Sequence, residues 1–470
     1  MRLVGHYPNI AKFLQFTFNY EEKMKKSSYR PLFDVHPNEV LTELRTRMLI
    51  DGFDYVLDTE HSVNTRLVDA RSQKQYLDFF TCFASTPLGM NHPSTTDDEF
   101  LRYLGEAALN KPSNSDVYSE VMASFVKTLR SIAVPDYFQH YFFVEGGALA
   151  IENALKTAFD WKVRKNFRKG YVHERGHQIL HFRQAFHGRS GYTMSLTNTD
   201  AKKVALYPKF DWPRVLNPTI FFPLGEHNLE DLIARENLSI AQIKQAFVSN
   251  PDDIAAIILE PIQGEGGDNH FRPEFLQQLR NLADENDTLL IFDEVQTGVG
   301  LTGTMWAHEQ LGVQPDIMSF GKKMQVCGIF ATNRIDDIDD HVFRVPSRIN
   351  STWGGNYVDM ARATKYLEII HQQQLLQNVQ KVGSELQTQL KILSEEFPAT
   401  VSNPRGRGLF CAFDIATTEI RSKLLRQCYD NGLIILGCGE RSVRFRPALT
   451  LTTDEMMEGI NIIRTQLKSL

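Results

Sequence analysis

At 470 residues the chain is longer than one ordinary domain, and 42% hydrophobic with 23% charged residues is enough to build a large core. A net charge of −6 supplies no basic excess for a phosphate backbone, so nucleic-acid binding is disfavoured. The longest apolar runs are strand-sized, far short of the ~20 residues of a membrane span.

Residues 1–28 read as an extension. His6, Pro8, Asn9 and Lys12 interrupt any signal-peptide apolar region, and no small-residue cleavage site follows. A cytoplasmic location is expected. The five cysteines, Cys82, Cys327, Cys411, Cys428 and Cys438, are scattered, odd in number and without CxxC spacing. That pattern fits a reducing compartment and gives no metal-ligand signature. His187, His270 and His308 form no ligand spacing either, so no metal is expected.

The segment 29–95 is taken as the N-terminal part of a smaller domain. Residues 96–356 form the large domain, and Pro112 to Asp116 reads as a loop within it. Tyr141–Val144 is strand-like and leads into Glu145-Gly146-Gly147-Ala148. Ala148, Ile151, Leu155 and Ala158 then recur at helical spacing, which predicts a helix from Ala148 to about Lys165. Small residues at a helix start let backbone N–H groups approach a phosphate. A lone Gly-Gly is weak evidence, because turns use glycine constantly.

Three further strands are predicted at Ile254–Leu259, Thr288–Phe292 and Asp316–Phe320. Strands alternating with helices indicate an α/β fold with a mainly parallel sheet, and ligands in such sheets bind beyond the strands' carboxyl ends. Asp293 follows the second of these strands, and the pair Lys322-Lys323 follows the third. Either alone has an ordinary reading: an Asp caps helices and turns, and a lysine pair is usually solvated. After about residue 357 the pattern changes to long helices (Asp359 to Phe397) and short strands near Leu409–Ile415 and Leu433–Leu436. Residues 357–470 are therefore the rest of the small α+β domain.

A phosphate cradle, a carboxylate and a lysine at strand ends of one sheet are the parts that pyridoxal 5'-phosphate requires. Four runs make this specific. Phe186-His187-Gly188-Arg189, Glu260-Pro261-Ile262-Gln263-Gly264-Glu265-Gly266-Gly267, Phe292-Asp293-Glu294-Val295-Gln296-Thr297-Gly298 and Asn350-Ser351-Thr352-Trp353-Gly354-Gly355 resemble those of class III (ω-amino acid) aminotransferases and lie in the expected order. Within that class the runs Phe320 to Gly328, Pro346 to Asn356 and Arg405 to Phe413 look most like the lysine ε-aminotransferases.

The resemblance implies a fold type I pyridoxal-phosphate transferase with a seven-stranded-type sheet, acting as a homodimer with shared sites. Lys322 would be the Schiff-base lysine, with Lys323 structural or solvated. Asp293 would pair with the pyridine nitrogen, and Gly147 and Ala148 would hold the phosphate by backbone N–H groups. Many class members carry Ser or Thr where this chain has Ala148. Phe186 would stack on the ring, Gln296 would bond near its phenolic oxygen and the substrate, and Thr352 would reach the phosphate from the partner subunit. Asn350 is assigned to substrate binding.

The expected substrates are L-lysine, reacting at its ε-amine, and 2-oxoglutarate. One carboxylate anchor must then be permanent and one concealable, and arginine's planar fork suits both. Arg189 is expected to be the permanent anchor. Arg444 is expected to meet the acceptor's α-carboxylate and to be masked by Glu265 during the donor half-reaction. Arg446 is expected to be structural.

Overall fold

A computed structural model describes residues 29–470; the proposed extension, residues 1–28, lies outside them. At its centre is a seven-stranded sheet in the order Phe138–Val144, Cys327–Thr332, Ile317–Phe320, Leu289–Asp293, Ile254–Leu259, Gln178–Phe182, Arg214–Val215. Cys327–Thr332 runs antiparallel to both of its neighbours, and the other six strands share one direction.

The two faces of the central strands are separated by the period-2 alternation of side chains. Ala256, Ile258, Leu289 and Ile291 join a cluster with Ala150, Ile151, Ala154 and Leu155 of the helix Gly147–Arg168. Ile257, Leu259, Leu290 and Phe292 pack with Phe275, Leu276 and Leu279 of the helix Pro273–Glu285. Both faces are covered, so Ile254–Leu259 is buried at all six positions and reads as a continuous apolar run.

The predicted elements lie where expected, with shifted ends. The predicted helix runs from Gly147 to Arg168, and the strand before it begins at Phe138. The long helical stretch is two helices, Tyr357–Gln372 and Leu375–Glu396, separated where Gln374 takes a left-handed φ of 52°. A four-stranded antiparallel sheet follows, in the order Val401–Arg407, Phe410–Ile415, Ser442–Phe445, Leu436–Cys438. Near the N-terminus, Arg66–Val68 and Gln75–Asp78 form a three-stranded sheet with Leu433–Ile434. Among the described residues no helix is long and apolar enough to cross a membrane.

Candidate active site

Five of the six like-directed strands deliver polar groups from their carboxyl ends. Gly146 and Gly147 follow the strand ending at Val144, Phe186 and His187 follow the one ending at Phe182, and Glu260 follows Leu259. Asp293 ends its own strand, and Lys322 stands two residues beyond Phe320. The register sets Ser319 opposite Asp293 and Leu259 opposite Phe292, so these ends lie side by side.

Lys322 has a left-handed φ of 49°, uncommon for a residue with a Cβ and a form of strain that clusters at functional sites. A Cβ on the preceding Gly321 would come within 2.8 Å of Cys327 Sγ, so the chain approaches closely there. Burial, with the Arg444 and Arg446 guanidinia nearby, lowers the Lys322 ammonium to about 8 against the opposing pull of Asp293 and Glu260. Such an amine is poised to act as base or nucleophile near neutrality. Lys323 is not solvated. It is buried, its Nζ donates to the Gln296 carbonyl at 2.6 Å, and burial beside Lys322 and Arg446 holds it well below the ordinary lysine range.

Asp293 is buried and fixed on both oxygens. Oδ2 lies 2.8 Å from His187 Nδ1, and Oδ1 accepts from Val295 N–H at 3.1 Å and from the Ser319 hydroxyl at 3.4 Å. His187 Nε2 is buried without a partner, so the imidazole serves Asp293 alone. Glu260 accepts from the N–H groups of Phe186 and Gly264, both at 2.9 Å. Burial, with Asp293 close by and His187 opposing, pushes its carboxyl up to about 7.

The helix Gly147–Arg168 has no side chain capping its first turn, which leaves N–H donors there for an anion. Gly188 holds a φ of 110°, and a Cβ on it would stand 2.5 Å from the Ala148 Cβ. The Phe186–Arg189 loop therefore lies directly on the phosphate turn, with Ala148 small beneath it. An uncapped helix start, a lysine amine with no hydrogen-bond partner among the described residues and a lowered pKa, and a fixed carboxylate suit the phosphate, aldehyde and pyridine nitrogen of pyridoxal phosphate.

On the small-domain side, Arg444 and Arg446 both point inward from Ser442–Phe445 and the residue after it, and both are buried. Arg446 is fully engaged: its Nη1 donates to Asp268 Oδ2 at 2.9 Å and its Nη2 to Oδ1 at 2.5 Å. Its Nε donates to Gln296 Oε1 at 3.0 Å, and it stacks on Phe410. Arg444 Nη2 donates to Glu265 Oε2 at 2.9 Å, while Nε and Nη1 are buried with no partner among the described residues. Burial pushes Glu265 up, but Arg444 and Lys203 outweigh it and hold the carboxyl below its ordinary range. Lys203 Nζ sits 2.5 Å from Glu265 Oε1 and 5.7 Å from the Phe186 ring.

Arg189, Asn350 and Thr352 are exposed, and no hydrogen bond or ion pair ties their side chains to this cluster. Three contributors escape sequence reasoning. His187 sits inside the Phe186–Arg189 run, and that adjacency is its only signal. Lys203 lies 62 positions from Glu265 with no motif around it. Phe83 stands on Thr81–Ala84, four successive left-handed residues with φ from 41° to 65°, and its ring faces the Arg444 guanidinium at 5.6 Å. Among the described residues His140, Asp336 and His341 are close enough to hold a metal. His341 Nδ1 accepts from Phe343 N–H, so its Nε2 carries the proton donated to Asp336, and the trio reads as hydrogen-bonded.

Residues 52–467 match the family Aminotransferase class-III. The chain is 52% identical over 432 residues to the L-lysine-epsilon aminotransferase of Mycobacterium tuberculosis, covering 92% of this chain and 96% of that protein. It is 47% identical over 439 residues to the enzyme of the same name from Streptomyces clavuligerus, covering 93% and 96%. The solved structure of the lysine aminotransferase from M. tuberculosis superposes with a TM-score of 0.91, covering 93% of this chain and all of that one.

Proposed function

This chain belongs to the class-III aminotransferases, which use pyridoxal phosphate, and from that premise we propose that it is an L-lysine 6-aminotransferase. It moves the ε-amino group of L-lysine to 2-oxoglutarate, giving 2-aminoadipate 6-semialdehyde and L-glutamate. The observation that carries this reading is Arg444, buried, with one nitrogen on Glu265 and two held free. A donor reacting at an ω-amine brings no carboxylate beside the reacting carbon, and Glu265 then fills the place. An acceptor with a carboxylate at that point displaces Glu265 and takes the free nitrogens. The high identity to two lysine enzymes supports lysine as the donor.

When bound, the cofactor supplies an electron sink for the carbon that loses its proton. The chain's own groups do the rest. Lys322 Nζ would hold the cofactor between turnovers and, as a free neutral amine, would be the base that takes the proton from the reacting carbon. Asp293, positioned by His187, would keep a proton on the pyridine nitrogen. Gly147 and Ala148 would donate backbone N–H groups to the phosphate, and Phe186 would cover the ring. Gln296, whose Oε1 is taken by Arg446, has its amide N–H groups for the phenolic oxygen or substrate. Arg189 anchors the carboxylate remote from the reacting centre.

Thr352 and Asn350 are exposed on their own chain, which supports a homodimer in which each subunit completes its partner's site. Residues 29–95 and 357–470 are read as one small domain beside the large domain 96–356; the strand pairing of Gln75–Asp78 with Leu433–Ile434 supports that division. Five unpaired cysteines support a cytoplasmic location.

The test is a coupled assay of glutamate formation from 2-oxoglutarate with L-lysine, L-ornithine and 4-aminobutyrate as donors. Lysine is expected to have the highest kcat/KM. If it is the slowest of the three, the donor assignment is wrong.

A further inference from the structure

The masking of Arg444 requires Glu265 to have somewhere to go. The side chain of Arg444 is 3% exposed, that of Glu265 25% and that of Lys203 29%, so the three form a line from the buried pocket to its solvent edge. Glu265 spans the line with one oxygen at each end: Oε2 on Arg444 and Oε1 on Lys203. Lys203 is itself well placed. It ends the short 3-10 turn Ala201–Lys203, capped by Asp200, which accepts from Lys202 N–H at 2.9 Å. Beyond it, Lys209 Nζ ties back to the Val204 carbonyl at 2.7 Å.

We propose that Lys203 is the second station of the Glu265 gate, a positioning residue that keeps the carboxylate paired when it leaves Arg444 and so sets how readily the acceptor binds. This rests on the reading of Glu265 as the mask of Arg444. With Lys203 present, opening exchanges two partners for one. In the closed form Lys203 shares Glu265 with Arg444 and in the open form it holds the carboxylate alone, so losing Lys203 costs the open form more than the closed one. A ligand that binds only the open form then binds more weakly in proportion to the lost population. Lys203 touches no reacting atom; its ion pair is to Glu265, and its Nζ lies 5.7 Å from the Phe186 ring.

The experiment is calorimetric titration of the holoenzyme with glutarate, an inert dicarboxylate that cannot transaminate. It is applied to the wild type and to Lys203→Met, Lys203→Arg, Glu265→Ala and the Lys203→Met/Glu265→Ala double variant. Glu265→Ala should tighten glutarate binding, because Arg444 is unmasked. Lys203→Met should weaken it by about fivefold, the scale of a partly exposed ion pair, and Lys203→Arg should restore it. In the Glu265→Ala background Lys203→Met should change nothing. In transient kinetics Lys203→Met should slow the 2-oxoglutarate half-reaction more than the lysine half-reaction, and Lys203→Arg should not.

Equal weakening with and without Glu265 would mean that Lys203 attracts the anion directly, and would overturn the proposal. Unchanged affinity in both Lys203→Met and Lys203→Arg would overturn it too. If Glu265→Ala fails to tighten glutarate, the masking reading itself fails, a result separable from the other two.

Discussion

The floor of the site and its mouth handle buried charge in opposite ways. On the floor, Asp293 is pinned by His187, Val295 and Ser319, and every one of those groups stands on a strand end of the large sheet or shortly after one. At the mouth, Glu265 is shared between two cations, and Arg444 keeps two nitrogens unused. The neighbouring Arg446 shows that the fold can satisfy a buried guanidinium there when it needs to: Asp268, Gln296 and Phe410 occupy it. The contrast between two arginines two residues apart supports the proposal that the unused nitrogens of Arg444 are kept for a ligand. On the proposed reading, the floor fixes the chemistry and the mouth chooses the molecule that receives it.

The comparison breaks first at Lys322. Lys322→Ala should lose the visible absorbance of protein-bound cofactor and at least about 10³-fold in kcat, since the variant lacks both attachment point and base. Spectra and steady-state rates check this; normal turnover would end the whole assignment. Asp268→Ala should separate the two arginines. It leaves the Arg446 guanidinium buried without its carboxylate, which typically costs about 3–5 kcal/mol. Denaturant unfolding should show that loss, and Glu265→Ala, which removes a carboxylate that is 25% exposed, should lose less.

A third prediction concerns pH. Capture of the cofactor's aldehyde requires neutral Lys322. With its pKa lowered to about 8, the amine is charged below that pH and neutral above it. The rate at which apoenzyme regains cofactor should therefore rise about tenfold per pH unit up to roughly 8 and then level off. A rise continuing to the ordinary lysine pKa would show that burial does not tune this group.

Much of the floor is legible in the sequence because it is written in consecutive residues. A β-strand carries its chemistry at its end, so Asp293 and Lys322 can be read from an apolar run and the polar residues just past it. The Gly147-Ala148 turn is legible for the same reason. The two-residue step between Arg444 and Arg446 also gives away that both face inward. The mouth is less legible because its pairs are long-range. Glu265 meets Lys203 across 62 residues, and nothing near Lys203 distinguishes it from a surface lysine. Phe83 owes its place to four successive left-handed residues, none of them glycine, so composition gives no warning. His187 escapes because ligand spacing tests a histidine as a metal ligand, not as a clamp on a carboxylate 106 residues away. Arg189 and Thr352 are exposed in a single chain, and the assignment of Thr352 depends on a second copy.

The central claim is that the mouth selects donors by masking Arg444, and Glu265→Ala tests it most directly. The measurement is the ratio of kcat/KM for L-lysine to that for L-glutamate as amino donor, in the wild type and in this variant. With the mask gone, an α-carboxylate beside the reacting carbon should be accepted more readily, and the ratio should fall by about tenfold, within the usual range for a single coupling of this kind. A ratio equal to that of the wild type would contradict the account.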